Sequence, residues 1–304
     1  MRTLAKSMLT LLLFAGVTSL PCLSGPFVSA LDGTQGPAQP AQKKATLKPA
    51  TVTTPETPFK DSDPEAEEQL FQLANQARRK AGAPPLTLDP GLSQAARTHA
   101  RVMLEARALS HQFDGEPSLP QRLAIATQLQ MDEEAENVAL DNDAAHGHEL
   151  LMLSPPHRAN LLNPSYNVVG LGVVHRGDRL YIVQDFGHAL PNYSETELKD
   201  RIASTVLETR RSAGQNELQR RDLLIADDVA CTMAQADKLG TPVVRKLSER
   251  FTVLTYTSLH PETLPTSAAR VIAGRNAHGF SIGACFARTD TYPTGVYWVV
   301  LSLD

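Results

Sequence analysis

His157 stands in the stretch SPPHRANLLNP, residues 154–164, and an imidazole is the side chain best able to serve as a base or a metal ligand near neutral pH. Pro155 and Pro156 end one helical run, and Asn163-Pro164 closes the short apolar-faced turn that His157 opens, because a residue before proline is pushed out of the helical region. The histidine is thereby held at a corner. The next run, VVGLGVV at 168–174, has the pattern of a buried strand whose glycines let another backbone come close. Nucleophilic catalysis would need a serine beside an oriented base. Ser110 adjoins His111 and Ser154 lies shortly before His157, but neither sits in a G-x-S-x-G elbow. The H-E-x-x-H helix of zinc hydrolases is also missing from the sequence.

Four elements occur in a fixed order: His111 in ALSH, Glu136-Asn137 in AENVA, His157 in the S-P-x-H-R corner, and Gly170/Gly172 in the strand after it. Together they resemble the bacterial branch of the CAP superfamily, the cysteine-rich secretory, antigen 5 and pathogenesis-related proteins. Each motif alone is weak, and four in register over about 120 residues are a strong signal. The resemblance runs from roughly Glu65 to Gly187. It departs at Ala135, where a glycine usually precedes the Glu-Asn pair, and at Leu151, where an aromatic usually precedes the corner.

The resemblance implies an α/β fold, an α-β-α sandwich with a central antiparallel sheet, in which His111, Glu136 and His157 converge in one cleft. Two neutral imidazoles and a carboxylate can ligate zinc or another divalent metal and leave a position open for water. Relatives often add a fourth, acidic member on the helix before the corner. Glu149 lies on that helix, yet the count back from His157 puts Ser154 at the usual acid position. The competing roles are structural: Glu136 accepting backbone N–H groups, His111 capping the second helix, and His157 fixed by a backbone carbonyl.

The elements that must position these residues begin with two Asp-Pro steps. Asp63-Pro64 reads as an N-cap with proline at the first helical position, and Leu70, Leu73, Ala74, Ala77 and Ala81 then recur at helical spacing up to Gly82. Asp89-Pro90 repeats the device before a second helix whose apolar face carries Leu92, Ala95, Ala96, Val102, Met103 and Ala106. His99 shares that face and reads as a hydrogen-bonded core residue. His146 and His148 flank Gly147 and read as a solvated helix start, or as an outer layer around the site.

The second half repeats the plan. QARRKAG at 76–82 returns as ETRRSAG at 208–214, VVGLGVV at 168–174 matches GFSIGAC at 279–285, and YIVQDF at 181–186 matches YWVVLS at 297–302. The spacing between matches shrinks by about twenty residues through the middle, where the first copy keeps its histidines. Opposite His111 and the corner, the second copy offers Thr241 and Ala268-Ala269-Arg270. The predicted organisation is a signal peptide at 1–30, a Pro/Ala/Thr-rich linker at 31–63, a CAP domain at 64–190 and a degenerate CAP-like domain at 194–304, in tandem.

Residues 1–30 carry Arg2 and Lys6, an apolar run from Met8 to Leu20 and Val28-Ser29-Ala30 as a cleavage site, so export beyond the cytoplasm is expected, with no transmembrane segment in the mature chain. Pro21 before Cys22 fits lipid attachment poorly. Removal of the leader would leave Cys231 and Cys285, either disulfide-bonded or both free. A net charge of −4 gives no electrostatic reason to expect nucleic acid. The expected function is a secreted binding protein of the cell envelope or exterior, recognising a small apolar ligand, an envelope component or a protein partner; lipid binding is what the resemblance implies. The alternative is a metal-assisted extracellular hydrolase, peptidase-like, with Glu136 as base.

Overall fold

Both Asp-Pro steps start helices in the computed structural model, which describes residues 60–304 apart from 224 and 275. The expected leader (1–30), with Cys22, and the linker as far as residue 59 lie outside the described residues. In α1 (Pro64–Ala81), the Asp63 side chain accepts from the Ala66 N–H at 3.0 Å, and Gly82 at φ 75° closes the helix. After β1 (Thr87–Leu88), α2 (Pro90–Ala106) is capped by Asp89, which accepts from the Leu92 N–H at 2.7 Å. There follow α3 (Leu119–Ala126), β2 (Met131–Asp141), α4 (Ala144–Leu153), α5 (Pro155–Leu162), β3 (Val168–Arg176) and β4 (Arg179–Ala189).

The corner differs from its expectation. Residues 155–162 are a helix, α5, and its prolines occupy the first two helical positions, where a missing N–H costs nothing. Ser154 ends α4 and caps α5, so His157 projects from a first helical turn instead of opening a loop. Asp63 N–H bonds to Val173 O and His175 N–H to Asp61 O, so residues 61–63 extend the edge of β3.

The sheet order is β1-β3-β4-β2, antiparallel through β3-β4-β2, with a two-residue parallel edge at β1. Leu70, Ala74, Ala144 and Leu161 cover the face formed by Val169, Leu171, Val173, Ile182 and Phe186. On the other face α2 and α3 pack Leu92, Ala96, Ala100, Met103 and Leu123 against Val138, Val168, Val174 and Val183. The glycines of β3 make the second contact close. A Cβ on Gly172 would stand 2.2 Å from Ala96 C, and one on Gly170 would stand 2.1 Å from Leu92 C, as the sequence pattern predicts.

The second lobe comprises α6 (Glu195–Ser212), β5 (Gln219–Arg220), α7 (Ile225–Gln235), α8 (Pro242–Leu247), β6 (Thr252–Ser258), α9 (Thr266–Ile272), β7 (Gly279–Ala287) and β8 (Val296–Leu303). Its sheet order is β5-β7-β8-β6, with a parallel pair at β5 and antiparallel pairs elsewhere. Cys231 on α7 is disulfide-bonded to Cys285 on β7. Among the described residues no helix is long and apolar enough to cross a membrane.

One buried arginine organises the loops of each lobe. Arg78 donates to Pro84 O, Leu161 O, Asn163 O and Tyr166 O, and Arg210 donates to Asn216 O, Ile272 O, Gly274 O and Ala277 O. Each guanidinium satisfies carbonyls that the turns leave unpaired. These are the second-to-last arginine positions in the repeated QARRKAG and ETRRSAG runs, a role the repeat itself does not disclose. The lobes meet where Arg288 donates to Ala124 O and Thr127 O, and where Asp132 of the first lobe accepts from His260 of the second.

Candidate functional site

The site forms around the free edge of β2, because that strand pairs with β4 alone. Period-two alternation sends Glu136 toward the α2/α3 layer and Asn137 toward the α4/α5 layer. His111, in the loop after α2, approaches from the first layer and His157 from the second. Their ring centroids come within 6.4 Å. Asn137 fastens the second layer: its Nδ2 donates to His157 O at 3.0 Å, and its Oδ1 accepts from Asn160 Nδ2 at 3.0 Å.

Glu136 is 3 % exposed at the side chain and has both oxygens engaged. Oε1 lies 2.9 Å from His111 Nδ1, and Oε2 lies 2.5 Å from Arg122 Nη2. Behind it His99 is fully buried, with Nδ1 2.6 Å from Glu116 Oε1 and Nε2 2.9 Å from Ser110 O, as a hydrogen-bonded core residue should be. Asp185 on β4 pairs in register with Glu136 and is wholly buried. Burial, with the Glu136 charge beside it, raises its pKa well above the ordinary 3.8.

His157 Nδ1 lies 2.9 Å from Ser154 Oγ. Burial and then the neighbouring His111 lower its pKa, which keeps the ring neutral near pH 7. Ser154 is thus at the site. Glu149 is not beside the histidines: with His148 it lines a separate hollow of about 410 Å3 between α1, α4 and α5. His148 is buried and its pKa is lowered by burial, so it is not a solvated residue. His146 is exposed and bonds Asp141 at 2.8 Å. Among the described residues no group of three or more His, Cys, Asp or Glu is arranged as a metal site. Glu136 faces Arg122 and His111, and the ring Nε2 atoms are left as the donors that could meet an ion.

Arg122, Glu116 and α2 also wall an open hollow of about 910 Å3, lined as well by Phe113, Ile125 and Ala126. Arg122 Nε is buried there without a hydrogen-bond partner.

The cysteine-rich secretory protein (CAP) family model matches residues 71–186. That span is a CAP domain. A protein named YkwD from Bacillus subtilis (strain 168) is 29% identical over 154 residues, covering 47% of this chain and 60% of its own length. An SCP-domain extracellular protein from Bacillus anthracis str. Ames is similar at 25% identity and a TM-score of 0.39, over 41% of each chain. A structure of NaASP2 with Zn2+ is similar at 11% identity and a TM-score of 0.33, over 44% of this chain and 84% of that one. The chain spans less than two thirds of the length of the Bacillus subtilis and Bacillus anthracis proteins.

Within the CAP domain both departures are filled by core packing. Leu151 is buried, and Ala135 packs against the α1/α4 core cluster. Sequence reading missed Arg122 and Asp185. The signal for Asp185 was a charged residue inside the buried run YIVQDF, all six of which are buried. Arg122 gave no such signal, since an arginine in a short helix is usually solvated.

Proposed function

We propose that the chain is an exported binding protein whose CAP domain takes a small molecule with an apolar body in the hollow beside Arg122. His111 and His157 hold a divalent ion, zinc foremost, through their Nε2 atoms. The observation that carries binding over hydrolysis is the double engagement of Glu136 by His111 and Arg122. A general base must reach the water it deprotonates, whereas Glu136 is 3 % exposed at the side chain and each of its oxygens already accepts from a cationic or imidazole donor. The same contact suits an outer partner of a metal ligand, since a carboxylate that accepts Nδ1–H fixes the tautomer with Nε2 open.

The volume of the hollow, about 910 Å3, lies in the range of small-molecule sites. Its lining by Ala95, Val102, Phe113 and Ile125 suits an apolar body, and Gln94 and Thr98 in the same wall suit one polar group on the ligand. An envelope component or protein side chain with these features would fit too. The leader-like sequence of residues 1–30 supports export.

The second lobe, 194–304, is a degenerate copy of the first in this reading. Its support is the shared strand order and the matched Arg78 and Arg210. Register refines the match of the last strands by one residue. Gly172 pairs with Val183 and Gly283 with Val300, so Tyr181 corresponds to Trp298 and not to Tyr297. Glu136 and Asp185 then correspond to Val253 and Ser302, and Ser302 bonds Ser281. The charged site is replaced by groups that need no counter-charge.

The test is solvent extraction and untargeted mass spectrometry of the natively exported protein, alongside Thr98→Trp, which puts a bulky ring on the wall of the hollow. A small apolar compound present in the parent and absent from the variant is expected. Peptide hydrolysis that depends on zinc and is abolished by Glu136→Gln would overturn the reading in favour of the hydrolase.

A further inference from the structure

We propose that Arg288, supplied by the second lobe, is a positioning residue for the ligand hollow of the first; the idea rests on the binding reading above. The helix α3 contributes Arg122, Ile125 and Ala126 to the wall of the hollow. It is only 8 residues long and carries no basic residue in its last turn. A short helix with unpaired terminal carbonyls and no cation to offset its dipole is poorly held by its own sequence. Arg288 supplies what is missing. Its Nη1 donates to Ala124 O, and its Nη2 donates to Thr127 O at 2.7 Å.

The second lobe is built to hold that guanidinium in place. Asp237, just after α7, accepts from Thr289 Oγ1 at 2.8 Å and from the Thr291 N–H at 2.8 Å, which straps down the turn that follows Arg288. Arg288 and Pro293 face Gly115, Glu116, Pro117, Gln121, Ala124 and Ile125. The segment 115–117 and α3 are thus bracketed, with the hollow on one side and the second lobe on the other. A lobe whose counterparts of Glu136 and Asp185 are Val253 and Ser302 contributes by fixing a wall of the site in its neighbour. A second junction, His260 with Asp132, bonds the start of β2.

The experiment titrates the full mature chain with a fluorescent long-chain fatty acid and follows amide hydrogen exchange of α3 in the same samples. Arg288→Ala is expected to weaken probe binding about tenfold, the scale of one lost charge-assisted contact, and to speed exchange across residues 123–127. Arg288→Lys, which keeps a donor, should recover most of the affinity, and His260→Ala should leave it unchanged. Parent-like affinity together with parent-like α3 exchange in Arg288→Ala overturns the proposal. If the parent binds no probe, or binds it equally well as Thr98→Trp, the hollow reading fails; exchange then decides the clamp alone, unchanged rates refuting it. Should Arg288→Ala not fold, Arg288→Gln takes its place, with the same readings.

Discussion

Arg122 Nη2 stands 2.5 Å from Glu136 Oε2, and both side chains are about 5 % exposed or less. This pair divides the CAP domain's chemistry. On one side His111 hangs from the remaining oxygen of Glu136, and on the other Arg122 faces the apolar hollow. A change on either side reaches the other through two side chains.

Removing one member of a buried ion pair strands the other. Arg122→Met should therefore cost about 3–5 kcal/mol, read as a fall in the urea midpoint at unchanged slope. A loss under about 1 kcal/mol would mean that water reaches Glu136.

Asp185 behaves in the opposite way, because the folded chain keeps its proton while the unfolded chain releases it. Stability that this group supplies in acid is lost as pH rises above the unfolded value near about 3.9. Asp185→Asn should match the parent within about 1 kcal/mol at pH 4 and become the more stable of the two as pH rises. A constant difference between pH 4 and 8 would contradict a neutral buried carboxyl.

His148 titrates with the other sign. Burial lowers its pKa, so the unfolded chain takes up a proton that the folded chain refuses, and stability is lost as pH falls below about 6.5. His148→Leu should flatten the acid-side decline by up to about 1.4 kcal/mol per pH unit, measured by urea denaturation at several pH values.

The disulfide closes a loop across 54 positions. Cys231→Ser with Cys285→Ser should lower stability by about 4 kcal/mol in a chain-entropy account, seen as earlier unfolding of the second lobe by limited proteolysis. Equal protease resistance would show that the α7 and β7 packing suffices.

Much of this architecture was legible before the fold was known, and the reasons are local. Asp63-Pro64, Asp89-Pro90 and Gly82 mark helix ends through backbone chemistry that needs no tertiary partner. Gly170 and Gly172 announce close backbone approach for the same reason. His111, Glu136 and His157 were found by motif, and two of those residues do share one hydrogen bond. Arg122 and Asp185 were not found, because their roles arise only when α3 and β4 bring them to Glu136. Pro155-Pro156 end α4 as expected, and the residues after them form the helix α5 where a turn was expected, since proline ends one helix and begins the next with equal ease.

Zinc calorimetry on the mature chain bears most directly on the account. The parent should bind one ion at pH 7.5, less tightly as pH falls through about 6.5. His111→Ala and His157→Ala should each abolish binding while the domain stays folded, and Glu136→Gln should weaken it about 10- to 100-fold, the loss typical of an outer partner. Parent-like zinc binding in both histidine variants would contradict the claim that this pair is the ion's seat.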